Sequence, residues 1–274
     1  MGLGCDQGPP PVDREPESKP VAIGTEFNPE NTGNVRGCVR WQSDIPSAPP
    51  FRAAGYAANG QYVPGPIIRE NPNLPHIDAR TGAVAGAVVF LRGIDPQKSR
   101  PENWPPVRIE MRDLCIHVCQ GSRDSQVGFL RPGDRVTMVS KDPAFHMLWG
   151  RGAAFFSLPF PDPDAPRERR LNDKGIVELS SGAGYPWMRG YLFVDDHPYY
   201  SCTDQRGRFQ LMEVPHGRYQ LACWQPSWRV SDAARDPETA LVIRVTFAPP
   251  VKSVQDIDVQ PGRTLVADFT ITAP

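Results

Sequence analysis

The chain has 274 residues, enough for one large domain or two modest ones with an ample core. Its 32 prolines and 24 glycines disfavour long helices and favour short strands joined by turns. A formal net charge of −1 offers no electrostatic footprint for nucleic acid. No apolar run approaches the ~18 residues that would cross a membrane as a helix.

The chain opens with Met1-Gly2-Leu3-Gly4-Cys5, which resembles the end of a bacterial lipoprotein signal, a small residue followed by cysteine. That resemblance implies an upstream apolar signal, a lipid anchor at Cys5 and a periplasmic or cell-surface location. Asp6 to Pro20 is charged and proline-rich, a composition that cannot form a core and suits a tether.

Gly33 to Trp41 reads as a first strand, and residues 43–80 as an irregular wrap over the surface. Ala87 to Leu91 is an unbroken apolar run, predicting a strand buried on both faces. Val107 to Met111 alternates and Leu114 to Val118 continues the pattern. Pro132-Gly133 suits a type II turn between a strand ending at Leu130 and another at Arg135 to Val139. Further strands are predicted at Gly175 to Leu179, Tyr191 to Val194, Tyr199 to Thr203, Arg208 to Val214, Arg218 to Trp224, Leu241 to Phe247 and Leu265 to Ile271. Arg167 to Arg170 reads as a solvated loop, and Ser231 to Thr239 as a short helix or a loop. Strands spaced this way, with turn residues between them, predict an all-β protein built of antiparallel sandwiches.

Cysteine usage is compatible with export. With Cys5 lipidated, Cys38, Cys115, Cys119, Cys202 and Cys223 remain, an odd number. Cys202 and Cys223 sit in predicted strands expected to lie adjacent and form the expected disulfide. A bridge from Cys38 to one thiol of the Cys115–Cys119 segment is an alternative fate for that pair.

Two family resemblances cover nearly everything after the tail. Thr203-Asp204-Gln205-Arg206-Gly207-Arg208-Phe209 followed by Val214-Pro215-His216-Gly217-Arg218-Tyr219 resembles the carboxypeptidase regulatory-like (transthyretin-like) module. That module is commonly non-catalytic, and the Gly33, Gly37 and Trp41 strand resembles its first strand. Residues 84–196 resemble a cupredoxin-like domain on three features. Val88 to Leu91 is similar to the family's early core strand. Gly133, Val136, Asp142 and His146 fall on its G-x-x-V-x-x-x-N-x-D-x-x-x-H pattern, with Ser140 in place of the Asn that braces the ligand loop. Gly182-Ala183-Gly184-Tyr185-Pro186-Trp187-Met188 is similar to the Cys-x-x-His-Pro-Trp-Met ligand loop. The resemblance implies copper ligands at His146 and Met188, but Gly182 and Tyr185 replace the thiolate and the second imidazole. A blue-copper site requires that thiolate. If the loop is a decayed site, Gly182→Cys with Tyr185→His would rebuild it.

The chain thus divides into a signal remnant and tether (1–33), a first strand and wrap (34–83), a cupredoxin-like Greek-key sandwich (84–196) and a transthyretin/Ig-like sandwich (197–274). Cys115, His117 and Cys119 recur at i, i+2 and i+4, so a strand would align two thiols and an imidazole on one face. They are metal candidates, although neighbours two apart lie ~6.6 Å from one another, which strains a shared ion. Asp195-Asp196-His197-Pro198-Tyr199-Tyr200 reads as a hydrogen-bonded corner with tyrosines packed between the sandwiches. The chain lacks G-x-S-x-G, HExxH and G-x-x-x-x-G-K. The expected function is a non-catalytic binding or scaffold subunit with a protein partner at a membrane surface, in an electron-transfer type of assembly, and with no cofactor. A copper-binding electron carrier or copper-handling protein is the alternative.

Overall fold

The computed structural model describes residues 26–56, 62–101, 104–238 and 240–273; the anchor at Cys5 and the 6–20 tether lie outside them. The described residues contain strands and two single 3-10 turns, Pro29–Asn31 and Pro96–Lys98, and no α-helix. The protein is all-β, as its proline and glycine content dictates.

Four sheets stack face to face. The first centres on Thr32–Trp41, flanked by Arg208–Pro215 antiparallel and by Thr264–Val266 and Phe269–Ile271 in parallel. The second runs Tyr200–Cys202, Val88–Arg92, Gly217–Gln225, Val251–Val259. Between these two lies one core, with Val35, Val39, Val89, Leu91, Phe209, Leu221 and Phe269. The third sheet runs Val127–Leu130, Arg189–Val194, Gly175–Ser181, His146–Gly152, Phe156–Phe160. The fourth runs Arg167–Arg170, Arg135–Ser140, Val107–Arg112, Cys115–Gln120, Arg123–Ser125. These enclose a second core with Ile109, Met138, Leu148, Leu179, Trp187 and Leu192.

The chain threads these sheets differently from the expected division. Residues 107–194 supply every strand of the third and fourth sheets, while strands on both sides of that segment build the first two. The middle sandwich is therefore an insertion between Val88–Arg92 and Tyr200–Cys202. Val88–Leu91, expected as the early core strand of the middle sandwich, pairs instead with Tyr200–Cys202 and Gly217–Gln225. An apolar run announces burial on both faces, which the structure shows, but not which sheet owns the strand.

That double burial creates a third apolar layer. Val88, Phe90, Ala222 and Trp224 from the second sheet meet Val127, Phe129, Tyr191 and Phe193 from the third. Phe90 stacks on Tyr200 at 5.0 Å and Phe193 meets Trp224 edge-on at 5.2 Å. Such aromatic pairs contribute about 0.5–1.5 kcal/mol each beyond the area they bury. The corner at 195–200 closes this seam. The Tyr200 hydroxyl donates to Asp195 Oδ2 at 2.5 Å, and His197 Nε2 lies 3.3 Å from the same oxygen. His197 Nδ1 accepts from the Tyr199 amide, which assigns the proton to Nε2. Burial disfavours the Asp195 carboxylate, yet the hydrogen bonds from His197 Nε2 and the Tyr200 hydroxyl outweigh it. The carboxyl is held well below the usual range.

Several expectations are corrected by pairing that a local reading does not contain. The irregular wrap includes a hairpin, Phe51–Tyr56 with Tyr62–Arg69. Ser231 to Thr239, expected as helix or loop, belongs largely to the strand Val230–Arg235, paired with Val242–Phe247. Arg167–Arg170 is exposed as expected but forms an edge strand against Arg135–Ser140. His146–Gly152, Phe156–Phe160 and Val251–Val259 are strands without a prior sequence expectation. By contrast, the turn at Asp204 to Gly207 forms as read: Gly207 has φ +71 and its amide donates to Asp204 O.

The expected disulfides do not form. Cys38, Cys115, Cys119, Cys202 and Cys223 are all free. Cys202 pairs across from Val88 and Cys223 from Val89, on opposite faces of the second sheet, with Val88–Arg92 between their strands. Cys38 lies in the first sheet while Cys115 and Cys119 lie in the fourth, at opposite ends of the stack.

Phe193→Ala, which empties the middle of the seam, should lower stability by about 3–5 kcal/mol in denaturant unfolding. A loss of under about 1 kcal/mol would mean that the seam does not hold the layers together. Because the Asp195 pKa is depressed in the fold, its contribution is present above the unfolded value of about 3.9 and is lost as pH falls through the folded value. Asp195→Asn should therefore flatten the loss of stability on acidification below about pH 4, measured by unfolding at a series of pH values.

Candidate functional site

The loop between Gly175–Ser181 and Arg189–Val194 is a tight turn that drives aromatic side chains inward. Gly182 N donates to Met147 O, Ser181 Oγ accepts from Ala183 N, and Met188 N donates to Tyr185 O. Tyr185, Trp187 and Met188 are buried as a result. The Trp187 indole donates to Leu114 O at 2.8 Å and its carbonyl accepts from Asn73 Nδ2 at 3.0 Å. The loop is thereby fixed on two sides.

His146, at the start of its strand, is fully buried at 0% exposure. Its Nε2 lies 2.9 Å from Asp142 Oδ2, and its ring sits 5.7 Å from that of Tyr185. Asp142 does more than orient the imidazole. Its two oxygens also accept the amides of Asp113 and Leu114 at 2.8 and 3.0 Å. Those residues form the two-residue turn between Val107–Arg112 and Cys115–Gln120, both with φ +53. A left-handed leucine is uncommon, so this turn depends on its amides being held. Burial works against the Asp142 carboxylate, but His146 and the two amides prevail and its pKa is lowered. Ser140, buried, donates to Asp142 O and so braces only its own turn. His146 Nδ1 is left buried with no hydrogen-bond partner.

Gly182 decides what the loop can hold. A Cβ there would meet the Trp149 indole at 2.5–2.8 Å. Trp149 alternates with His146 and Leu148 along its strand and so projects from the opposite face of the sheet. A side chain at position 182 points away from His146, into the space Trp149 fills. The double substitution expected to rebuild a copper site is therefore corrected on geometry, not only on the missing thiolate. What remains is one imidazole nitrogen, one thioether at Met188 and a phenol ring where the second imidazole would stand. This set does not fit a blue-copper centre.

Cys115, His117 and Cys119 share one face as predicted, and it is the half-exposed outer face of the fourth sheet, not a buried one. Two of them are engaged separately. Arg69 Nη2 donates to Cys115 Sγ at 3.1 Å, and His117 Nδ1 lies 3.0 Å from Asp124, which also pairs with Arg112. Desolvation is the leading cause that pushes the Cys115 and Cys119 thiols up, away from the thiolate that a soft metal prefers. Among the described residues no group of three or more His, Cys, Asp or Glu side chains is arranged to hold a metal ion. Asp142 stood in the sequence as a pattern position four residues before His146, but its grip on the imidazole and two turn amides shows only in the fold. Trp149 had no signal, because its role rests on which face of a strand it occupies.

No protein-family model matches the chain, and no curated protein does. Among solved structures, it is similar to a copper(I) form of an amicyanin variant, with a TM-score of 0.27 and 11% identity over 39% of this chain and 98% of that one. It is similar to a purple cupredoxin from Nitrosopumilus maritimus, with a TM-score of 0.25 and 15% identity over 32% of this chain and 98% of that one. The copper-containing nitrite reductase of Thermus scotoductus aligns at TM-score 0.28 and 14% identity, over 38% of this chain but 25% of that one. Likenesses of this size assign neither a ligand nor an activity.

Gly182→Cys with Tyr185→His should fold yet show no intense thiolate-to-copper band when loaded with Cu(II), read by visible absorption. A strong blue or green colour would overturn the outward placement of position 182.

Proposed function

We propose that the protein is a non-catalytic binding or scaffold subunit that works outside the cytoplasm at a membrane surface, in an electron-transfer type of assembly, tethered through Cys5. The observation that carries this reading is the Trp149 indole against Gly182, which turns the ligand loop into a packed corner with no room for a thiolate facing His146. A stack of four sheets with aromatic filling suits a rigid body that presents surfaces rather than one that cycles chemistry. Among those surfaces is Phe155, an aromatic side chain 76% exposed. The partner is a protein, and the C-terminal resemblance to transthyretin-like modules, which are commonly non-catalytic, agrees with this role.

One observation favours a second reading. His146 Nδ1 is buried and unpartnered, its ring faces Tyr185, Tyr185 shares a core with Met188, and imidazole with thioether suits Cu(I). Anaerobic equilibrium dialysis against Cu(I), followed by metal analysis, separates the two. The scaffold reading expects well under one copper per chain. One tightly held copper per chain, lost in Met188→Leu, would replace it with copper handling. For the anchor, Cys5→Ser in cells exporting the full-length product should move the protein from the membrane to the soluble fraction with its fold unchanged. Wild-type protein found soluble in the cytoplasm would refute the exported reading.

A further inference from the structure

The outer face of the Gly182 loop opens on a groove of about 770 Å³, where the third sheet meets the ends of Gly217–Gln225 and Val242–Phe247. This is within the ordinary size range of small-molecule sites. Its walls are aromatic, with Trp149 and Tyr191 from the third sheet, Trp224 from the second and Phe247 from the hairpin.

Two features of this groove have no use in the fold. The Tyr191 hydroxyl and the Trp224 indole N–H are both buried and both lack a hydrogen-bond partner. Their rings are 4.8 Å apart, edge to face, and both side chains line the groove. A buried donor left unpaired costs about 1–3 kcal/mol, and two together call for an acceptor supplied from outside. Desolvation leads the forces that push the Tyr191 phenol far up, so it remains a donor at any physiological pH.

The second feature is charge. Arg151, Arg244 and Lys252 line the groove, are exposed, and have no ion-pair partner among the described residues. Arg151 lies over the Trp149 ring at 5.1 Å, which leaves its outer edge toward the opening. The acid in the lining, Glu178, is already held by Arg189 Nε and Nη2 at 3.0 and 2.8 Å. Arg189 in turn donates to Ser227 O and covers Phe247, so the charge of Glu178 is already met within the protein. The remaining field is positive.

We propose that this groove is a binding site for a ring-bearing organic carboxylate. The ring packs on Trp149, the carboxylate is met by Arg151, Arg244 and Lys252, and ligand oxygens accept from Tyr191 and Trp224. An aromatic acid and a uronic-acid sugar share this chemistry. The inference goes beyond the scaffold reading, since it assigns a small-molecule ligand that the groove would hold whether or not a partner binds.

Isothermal titration of the full chain with 4-hydroxybenzoate and with digalacturonate tests it, the two arms separating aromatic from sugar acids. One of them should bind saturably at one site, with affinity falling as salt rises. The neutral counterparts, 4-hydroxybenzyl alcohol and maltose, should bind at least about tenfold more weakly, as should the acid to R151Q/R244Q/K252Q, whose exposed substitutions leave the fold intact. Tyr191→Phe should weaken binding while leaving the unliganded protein as stable or more so, since it deletes an unpaired donor. Failure of both acids to bind, equal affinity for the neutral compounds, or affinity unchanged in the triple variant would overturn the proposal.

Discussion

The structure depends on one arrangement above others: a seam of aromatic rings between the second and third sheets. Phe90, Phe129, Phe193, Tyr200 and Trp224 meet there at 5–6 Å, and the strands that carry Phe90 and Phe193 are buried on their other faces as well. Each sandwich therefore completes its burial on the other. Val88–Arg92 and Arg189–Val194 contribute to a sandwich core on one side and to the seam on the other. An insertion placed between Val88–Arg92 and Tyr200–Cys202 leaves and re-enters at this seam, so its ends are fixed by the same contacts. The Asp195–His197–Tyr200 corner sits at the point of re-entry and supplies the polar pairing that a turn in so apolar a place requires.

Within the inserted sandwich, Asp142 plays the organising part. One carboxylate holds an imidazole and two turn amides, and the turn it holds places Leu114 O against the Trp187 indole. The loop that resembles a copper-ligand loop is thus packed from beneath by His146 and Tyr185 and tied from the side through Leu114. Its outward face is closed by Trp149. The backbone keeps a tight turn because aromatic packing and hydrogen bonds hold it, with no bond to a metal required. This is how such a loop can keep its Pro-Trp-Met tail while its other positions serve packing.

The two faces of this loop differ in chemistry. The inner face is a closed aromatic corner with a single unpartnered imidazole nitrogen. The outer face borders an open groove that is aromatic, positively charged and furnished with two unpaired donors. The groove lies where strands of both sandwiches and the Val242–Phe247 strand converge. The seam sets its geometry, since Tyr191 and Trp224 belong to the seam and to the groove at once.

Much of the β-structure was legible from residue order. Apolar alternation and turn chemistry placed most of the strands, including the Asp204–Gly207 turn, because these signals are local to a few residues. The Cys115, His117 and Cys119 side chains share a face because strand alternation demands it. The sequence also determined that no thiolate stands in the Gly182 loop. Tertiary structure decided the rest. Ownership of Val88–Arg92, and with it the insertion, follows from pairing across more than a hundred residues. The separation of Cys202 from Cys223 follows from a third strand lying between theirs. The direction of position 182 follows from its register against Trp149, and no local pattern encodes the face on which a distant indole lies. The charge of the groove emerges only when Arg151, Arg244 and Lys252, far apart in sequence, are brought to one opening while Glu178 is held by Arg189. Long-range pairing selects partners that a local pattern leaves open, and the candidate sites of this protein are made of those partners.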